Sequence, residues 1–120
     1  SAPAQVQILA TVADLLRQAR KFSDCVAVLD KAIALRQAAE LIAARGVCRR
    51  GNKDNAGAKA DYQRAVDVDP AYGPAYFLLG QHLLQVDKNR AAAVSAFEKC
   101  AAVAPDSKCK EAAETAKKGK

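Results

Sequence analysis

Small and bulky apolar residues return along this chain in a fixed order: Cys25-x3-Leu29, Ala58-x3-Tyr62 and Ala93-x3-Phe97 stand 33 and 35 residues apart. Small residues recur at Ala13, Gly46 and Gly80 and again at Ala32, Ala65 and Cys100, apolar ones at Leu35, Val68 and Val103, and prolines at Pro70 and Pro105. An i, i+4 spacing puts each pair on one helix face, and a step of about 34 residues marks a repeated helix pair.

Helix start and stop signals predict about seven helices. The first pair covers about Ala4 to Arg20 and Asp24 to Leu35, broken at Lys21-Phe22-Ser23 with Ser23 as N-cap. The second covers about Ala38 to Arg50 and Asn55 to Val68. Gly51-Asn52 ends one of these helices, Asp54 or Asn55 caps the next, and Asp69-Pro70 stops it, because proline disfavours helical geometry before it and donates no amide hydrogen. The third spans about Gly73 to Val86 and Asn89 to Val103, stopped by Pro105. Asp106 or Ser107 then caps a last helix to about Lys117, with Cys109, Ala112, Ala113 and Ala116 on one face.

The third unit reads Tyr76-x2-Leu79-Gly80-x2-Leu83, Ala93-x3-Phe97, Pro105, and in this it resembles the tetratricopeptide repeat (TPR). The second unit keeps Gly46, Ala58-x3-Tyr62 and Pro70 but has Arg45 and Arg49 where apolar residues are usual. The first, Leu9-x2-Val12-Ala13-x2-Leu16 with Cys25-x3-Leu29, is more degenerate, and Gln37 replaces the closing proline. The resemblance covers roughly residues 6 to 105. It implies an all-α, TPR-type α-solenoid of three antiparallel helix pairs plus a capping helix, in a single domain over 1–120, with repeats at about 6–38, 39–72 and 73–105 and the cap at about 106–118. Ala13, Gly46 and Gly80 are expected at the crossings, facing Cys25, Ala58 and Ala93, while Leu29, Tyr62 and Phe97 fill the groove between pairs.

The resemblance also implies a concave binding face and no catalytic residues. Gln7, Ala10, Asp14, Arg17 and Gln18 would line it from the first unit, Ala43, Val47 and Arg50 from the second, and Phe77, Gln81, Leu84 and Gln85 from the third. The function expected is a non-enzymatic protein-interaction module. A protein or peptide segment would be held through Arg and Gln hydrogen bonds, with Phe77, expected to be exposed, and Leu84 as apolar anchors. A structural or self-associating homo-oligomeric module is the alternative, and an RNA-binding helical repeat the second. The clamp that TPR domains use on acidic chaperone tails needs Lys and Asn where Ala10, Asp14 and Val47 stand, so that role is not expected. Cys48-Arg49-Arg50-Gly51 and the alanine-rich style are similar to TPR segments of larger bacterial extracytoplasmic or signalling proteins.

Composition adjusts this picture modestly. Aromatics are 5% of a chain that is 51% apolar, so small side chains must pack helix on helix. No apolar run is long enough for a membrane span and the chain shows no basic-then-apolar leader; Ser1-Ala2-Pro3-Ala4 reads as a linker or trimmed start, which leaves a removed signal or a larger parent protein open. The net charge is +6, half of it contributed from Lys108 onward, where five lysines face Glu111 and Glu114. No basic stripe interleaves with stacking aromatics, so a nucleic-acid partner is not favoured. Arg45 and Arg49 share a face, and pairing with acids such as Asp61 or Asp67 is preferred over an anion-binding patch.

Cys25, Cys48, Cys100 and Cys109 lack metal-site spacing, and His82 is the only histidine; no metal or cofactor is expected. Cys25 and Cys48 are mirrored across the turn at Arg36-Gln37, as Cys100 and Cys109 are across Ala104-Pro105. Residues equally far from the turn of a helix hairpin lie at equal height. Disulfides Cys25–Cys48 and Cys100–Cys109 are the assignment taken, and buried thiols substituting for alanine are the competing reading. Disulfides would indicate a periplasmic or extracellular site, free thiols a cytoplasmic one.

Overall fold

The turn inside each helix pair closes on a residue in the left-handed region, and these residues keep the repeat step: Arg20 (φ 63°), Lys53 (φ 65°) and Lys88 (φ 56°). The computed structural model describes residues 1–119; Lys120, the last residue of the expected domain, lies outside them. Seven α-helices make up the described residues: α1 (Ala2–Gln18), α2 (Phe22–Leu35), α3 (Ala39–Gly51), α4 (Asn55–Val68), α5 (Gly73–Gln85), α6 (Arg90–Val103) and α7 (Cys109–Lys117). In the first two hairpins the reversal carries a Schellman-type cap. Lys21 N–H reaches Leu16 O and Asp54 N–H reaches Arg49 O, both at 2.8 Å, which satisfies carbonyls the helix leaves open.

Most helix boundaries agree with the start and stop signals, and the exceptions have local causes. Ser1 accepts from Ala4 N–H and Pro3 sits in the first turn, so α1 begins earlier than expected and Arg20 falls outside it. Ser23 is not an N-cap: α2 starts at Phe22, and the Ser23 hydroxyl instead accepts from Asn52 Nδ2 at 3.2 Å, tying the two turns together. Asp54, not Asn55, caps α4 by accepting from Gly57 N–H at 2.9 Å. Asn89 caps α6. Neither Asp106 nor Ser107 is the N-cap of α7, but Ser107 Oγ accepts from Cys109 N–H at 3.3 Å and donates to Ala104 O at 2.6 Å.

Within each of the last two pairs a glycine meets an aromatic ring. A Cβ on Gly46 would lie 2.7 Å from Tyr62 Cε1, and one on Gly80 would lie 2.5 Å from Phe97 Cε1. The glycines therefore face the rings of their own pairs, where Ala58 and Ala93 were expected. Each ring then reaches onward, Tyr62 edge-on to His82 at 6.2 Å between centroids, and Phe97 into a cluster with Ala113 and Ala116 of α7. The seventh helix thus covers the last pair with the alanine face its sequence carries.

Arg45 and Arg49 converge on Asp61, which is 2% exposed. Arg45 donates to Asp61 Oδ2 at 3.1 Å and Oδ1 at 2.8 Å, Arg49 donates to Oδ2 at 3.0 Å, and Arg45 also reaches Asp30 Oδ1 at 2.9 Å. The hydrogen bond to Asp61 raises the Arg45 pKa further above its usual value. Asp61 rather than Asp67 is the partner of both arginines. Arg45 links α2, α3 and α4 in one network, so the departures from the TPR pattern at Arg45 and Arg49 are compensated by an acid on the facing helix.

The cysteines stand as two pairs at disulfide distance. Cys25 joins Cys48 with Cα atoms 6.2 Å apart, linking α2 to α3, and Cys100 joins Cys109 at 5.6 Å, linking α6 to α7. The stack is 46 × 27 × 20 Å. No helix among the described residues is long and apolar enough to cross a membrane.

Candidate functional site

Two separate clefts collect eight of the twelve residues expected on the concave face. At one end, Arg17, Gln18, Val47 and Arg50 line a cleft of about 440 Å³ between α1 and α3. Arg20, Phe22 and Gly51 complete it, with the Arg20 guanidinium 5.4 Å from the Phe22 ring centroid. Asp14 lies in an adjoining cleft of about 230 Å³ whose floor includes Cys25 and Cys48. It accepts from Arg17 at 2.6 Å and Gln18 at 2.8 Å, and the Arg17 hydrogen bond holds its carboxyl below the usual 3.8. Gln7 is exposed about two turns before Asp14 on α1 and accepts from Thr11 through its backbone carbonyl.

At the other end, Phe77, Gln81, Leu84 and Gln85 line a cleft of about 290 Å³ whose opposite wall is α7, through Lys108, Glu111, Ala112 and Thr115. Phe77 also borders a second, apolar cleft of about 410 Å³ over Gly73, Pro74 and the Cys100–Cys109 pair. Phe77 is half-buried rather than exposed, because its ring tilts against Phe97 at 5.7 Å. Ala43, expected on the concave face, is buried between α3 and its neighbours and lines neither cleft.

Sequence reasoning missed the α7 wall and the Arg20-Phe22 edge. A signal existed for the first: one repeat step from Phe77 and Gln81 falls on Glu111 and Thr115, so α7 offers the groove positions of a further first helix. Arg20 lies in the turn and Phe22 opens α2 directly after it, where the repeat pattern carries no side-chain expectation. Among the described residues, no group of three or more His, Cys, Asp or Glu side chains could hold a metal ion.

Chemically the two ends differ. The α1/α3 cleft offers guanidinium and amide donors suited to carboxylates, and the α5/α7 cleft offers apolar walls with amides at the rim.

No protein-family model and no curated protein sequence matches the chain. Its fold matches solved structures. An Arabidopsis OM64 TPR domain superposes with a TM-score of 0.85 at 17% identity, over 98% of each chain. The Yersinia enterocolitica type III secretion chaperone SycD, solved with a peptide of the translocator YopD, gives 0.81 at 18% identity, over 92% of this chain and 91% of that one. The second TPR domain of human RPAP3, solved with an HSP70 peptide, gives 0.82 at 18% identity, over 98% of each chain. The fold is that of a TPR domain, with three helix pairs and a capping helix as the repeat pattern implied.

Proposed function

We propose that the chain is a non-catalytic protein-interaction module that takes an extended or helical segment of a partner protein along its concave face. An acidic group of that segment binds at the α1/α3 cleft and an apolar side chain at the α5/α7 cleft. The observation that carries this is the grouping of Arg17, Gln18, Val47 and Arg50 in one cleft and Phe77, Gln81, Leu84 and Gln85 in the other. SycD and the RPAP3 domain, which share the fold, each hold a peptide. An RNA-binding reading draws less support, because Arg45 and Arg49 are engaged with Asp61 and the Phe77 and Phe97 rings pack on each other. The cysteine pairs favour an oxidising compartment for the module.

Selection from a displayed random-peptide library on the immobilised domain tests the reading. Enriched peptides should carry Asp or Glu at a set distance from Leu or Phe. Arg17→Glu with Arg50→Glu should weaken the selected peptide at least about tenfold, as expected for lost charge-assisted hydrogen bonds, with the thermal midpoint unchanged. Failure to enrich any motif, or binding indifferent to both arginines and to Phe77→Ala, would sink the proposal.

A further inference from the structure

Ile8, Val12 and Leu15 stand on the outer face of α1, exposed by 62, 39 and 59%. Adding 33 residues carries them onto Leu41, Arg45 and Cys48 of α3. Each of those engages α2: Leu41 packs in the cluster of Leu29 and Ala32, Arg45 donates to Asp30 at 2.9 Å, and Cys48 pairs with Cys25. This is the face by which the first helix of a pair docks on the helix before it. In α1 that face is purely apolar and carries no helix, although a face destined for solvent would be polar. A cleft of about 500 Å³ lined by Ile8, Leu9, Ala34 and Leu35, with Gln5 and Lys31 at its edge, extends this surface onto α2.

We propose that this face pairs with a second copy of the chain, α1 packing antiparallel on α1 about a two-fold axis near Val12. Gln5, Ile8, Val12, Leu15 and Ala19 alternate steps of three and four residues, the spacing of a helix–helix seam. The seam reads nearly the same in both directions, so an antiparallel partner sets Ile8 opposite Leu15 and Val12 opposite Val12. That is the self-complementarity a two-fold contact requires. The seam also holds no charge. Asp14 and Arg17 of α1 are paired with each other at 2.6 Å and lie outside the seam, so two chains of net charge +6 meet there without opposed like charges. The far end of the stack does not offer a matching surface: α7 turns Lys110, Glu114 and Lys117 to solvent, which leaves closure at two copies over head-to-tail growth. A seam along a helix about 25 Å long is at the small end of stable interfaces, so the dimer forms in the micromolar range and above.

Sedimentation equilibrium of the full chain, from low-micromolar to near-millimolar concentration, tests this. The weight-average mass should rise from 12.7 kDa toward twice that value. Ile8→Glu and Leu15→Glu should keep the wild-type helical circular dichroism and thermal midpoint, because both side chains are exposed, yet stay monomeric throughout. Val12→Cys should form a covalent dimer under mild oxidation, whereas Lys110→Glu should leave the association unchanged. A mass fixed at the monomer value at every concentration, or a dimer that Ile8→Glu and Leu15→Glu leave intact, overturns the proposal. Neither result bears on peptide capture, which uses other residues.

Discussion

His82 is 3% exposed, lies edge-on to Tyr62, and has Nε2 at 3.7 Å from Asp87 Oδ1; among the described residues its Nδ1 finds no hydrogen-bond partner. Burial pushes its pKa below 6.5, Asp87 pulls it back up, and Lys59 and Arg50 push it down. Because the folded pKa is the depressed one, the unfolded chain takes the proton first as pH falls. The contribution to stability is whole above about pH 6.5 and is lost progressively below it, toward the folded pKa. Asp14 and Asp87 are held below 3.8 by Arg17 and Lys59, so they titrate in a separate, more acidic range. Thermal melts should therefore show a flat midpoint near pH 7 and a decline as pH falls below about 6.5, and His82→Gln should flatten that decline. The burial of this residue was legible, since the repeat step from buried Cys48 falls on His82. The left-handed residues were not. Lysine has no turn signature, and the sequence signal pointed to Gly51-Asn52 while the reversal fell on Lys53.

At the level of the helix pair, the aromatic rungs and the glycines opposite them are one device. Gly46→Ala would raise helix propensity by about 1 kcal/mol, yet its Cβ would enter the space of Tyr62, which is fully buried and flanked by the Arg45–Asp61–Arg49 network. Overpacking of this kind costs about 1 to 3 kcal/mol. The ring cannot swing out without exposing Asp61, so the steric cost should win. Urea unfolding should show Gly46→Ala destabilised by about 1 kcal/mol or more at an unchanged slope, and Gly80→Ala likewise against Phe97. An equal or raised midpoint for both would mean that the rings yield. The glycines were legible as small residues at crossings, but their partners were misread by one helical turn, Ala58 for Tyr62 and Ala93 for Phe97. Spacing along a chain fixes a face, whereas the height at which two helices cross depends on the turn, and the turn was the weakly signalled part. Phe77 was misread for a related reason: α7 and Phe97 close over it, and a repeat pattern that ends at Pro105 says little about the helix beyond that proline.

In the whole molecule the ends of the stack depend on their cross-links more than the middle does. α1 packs chiefly on α2, and the pair is held to α3 through the packing of Leu41 on Leu29 and Ala32, Cys25–Cys48 and the Asp30–Arg45 contact. α7 has 9 residues, too few to be helical alone, and is tied to α6 by Cys100–Cys109. With sequence separations of 23 and 9, a loop-closure account gives about 3.4 and about 2.6 kcal/mol for the two links. In a repeat stack each unit leans only on its neighbours, so these losses stay local. Cys25→Ala with Cys48→Ala should remove hydrogen-exchange protection from α1 and α2 while α4 to α6 keep theirs. Cys100→Ala with Cys109→Ala should strip α7 and expose Phe97 while α1 to α4 are untouched. Uniform loss across all seven helices in either variant would show a single cooperative unit instead. The mirrored cysteines were visible in the sequence because equal distance from a turn means equal height in a hairpin. The uncapped flank of α1 was encoded in the same step of 33 residues, but only the contacts of Leu41, Arg45 and Cys48 with α2 give that step its meaning as a docking face.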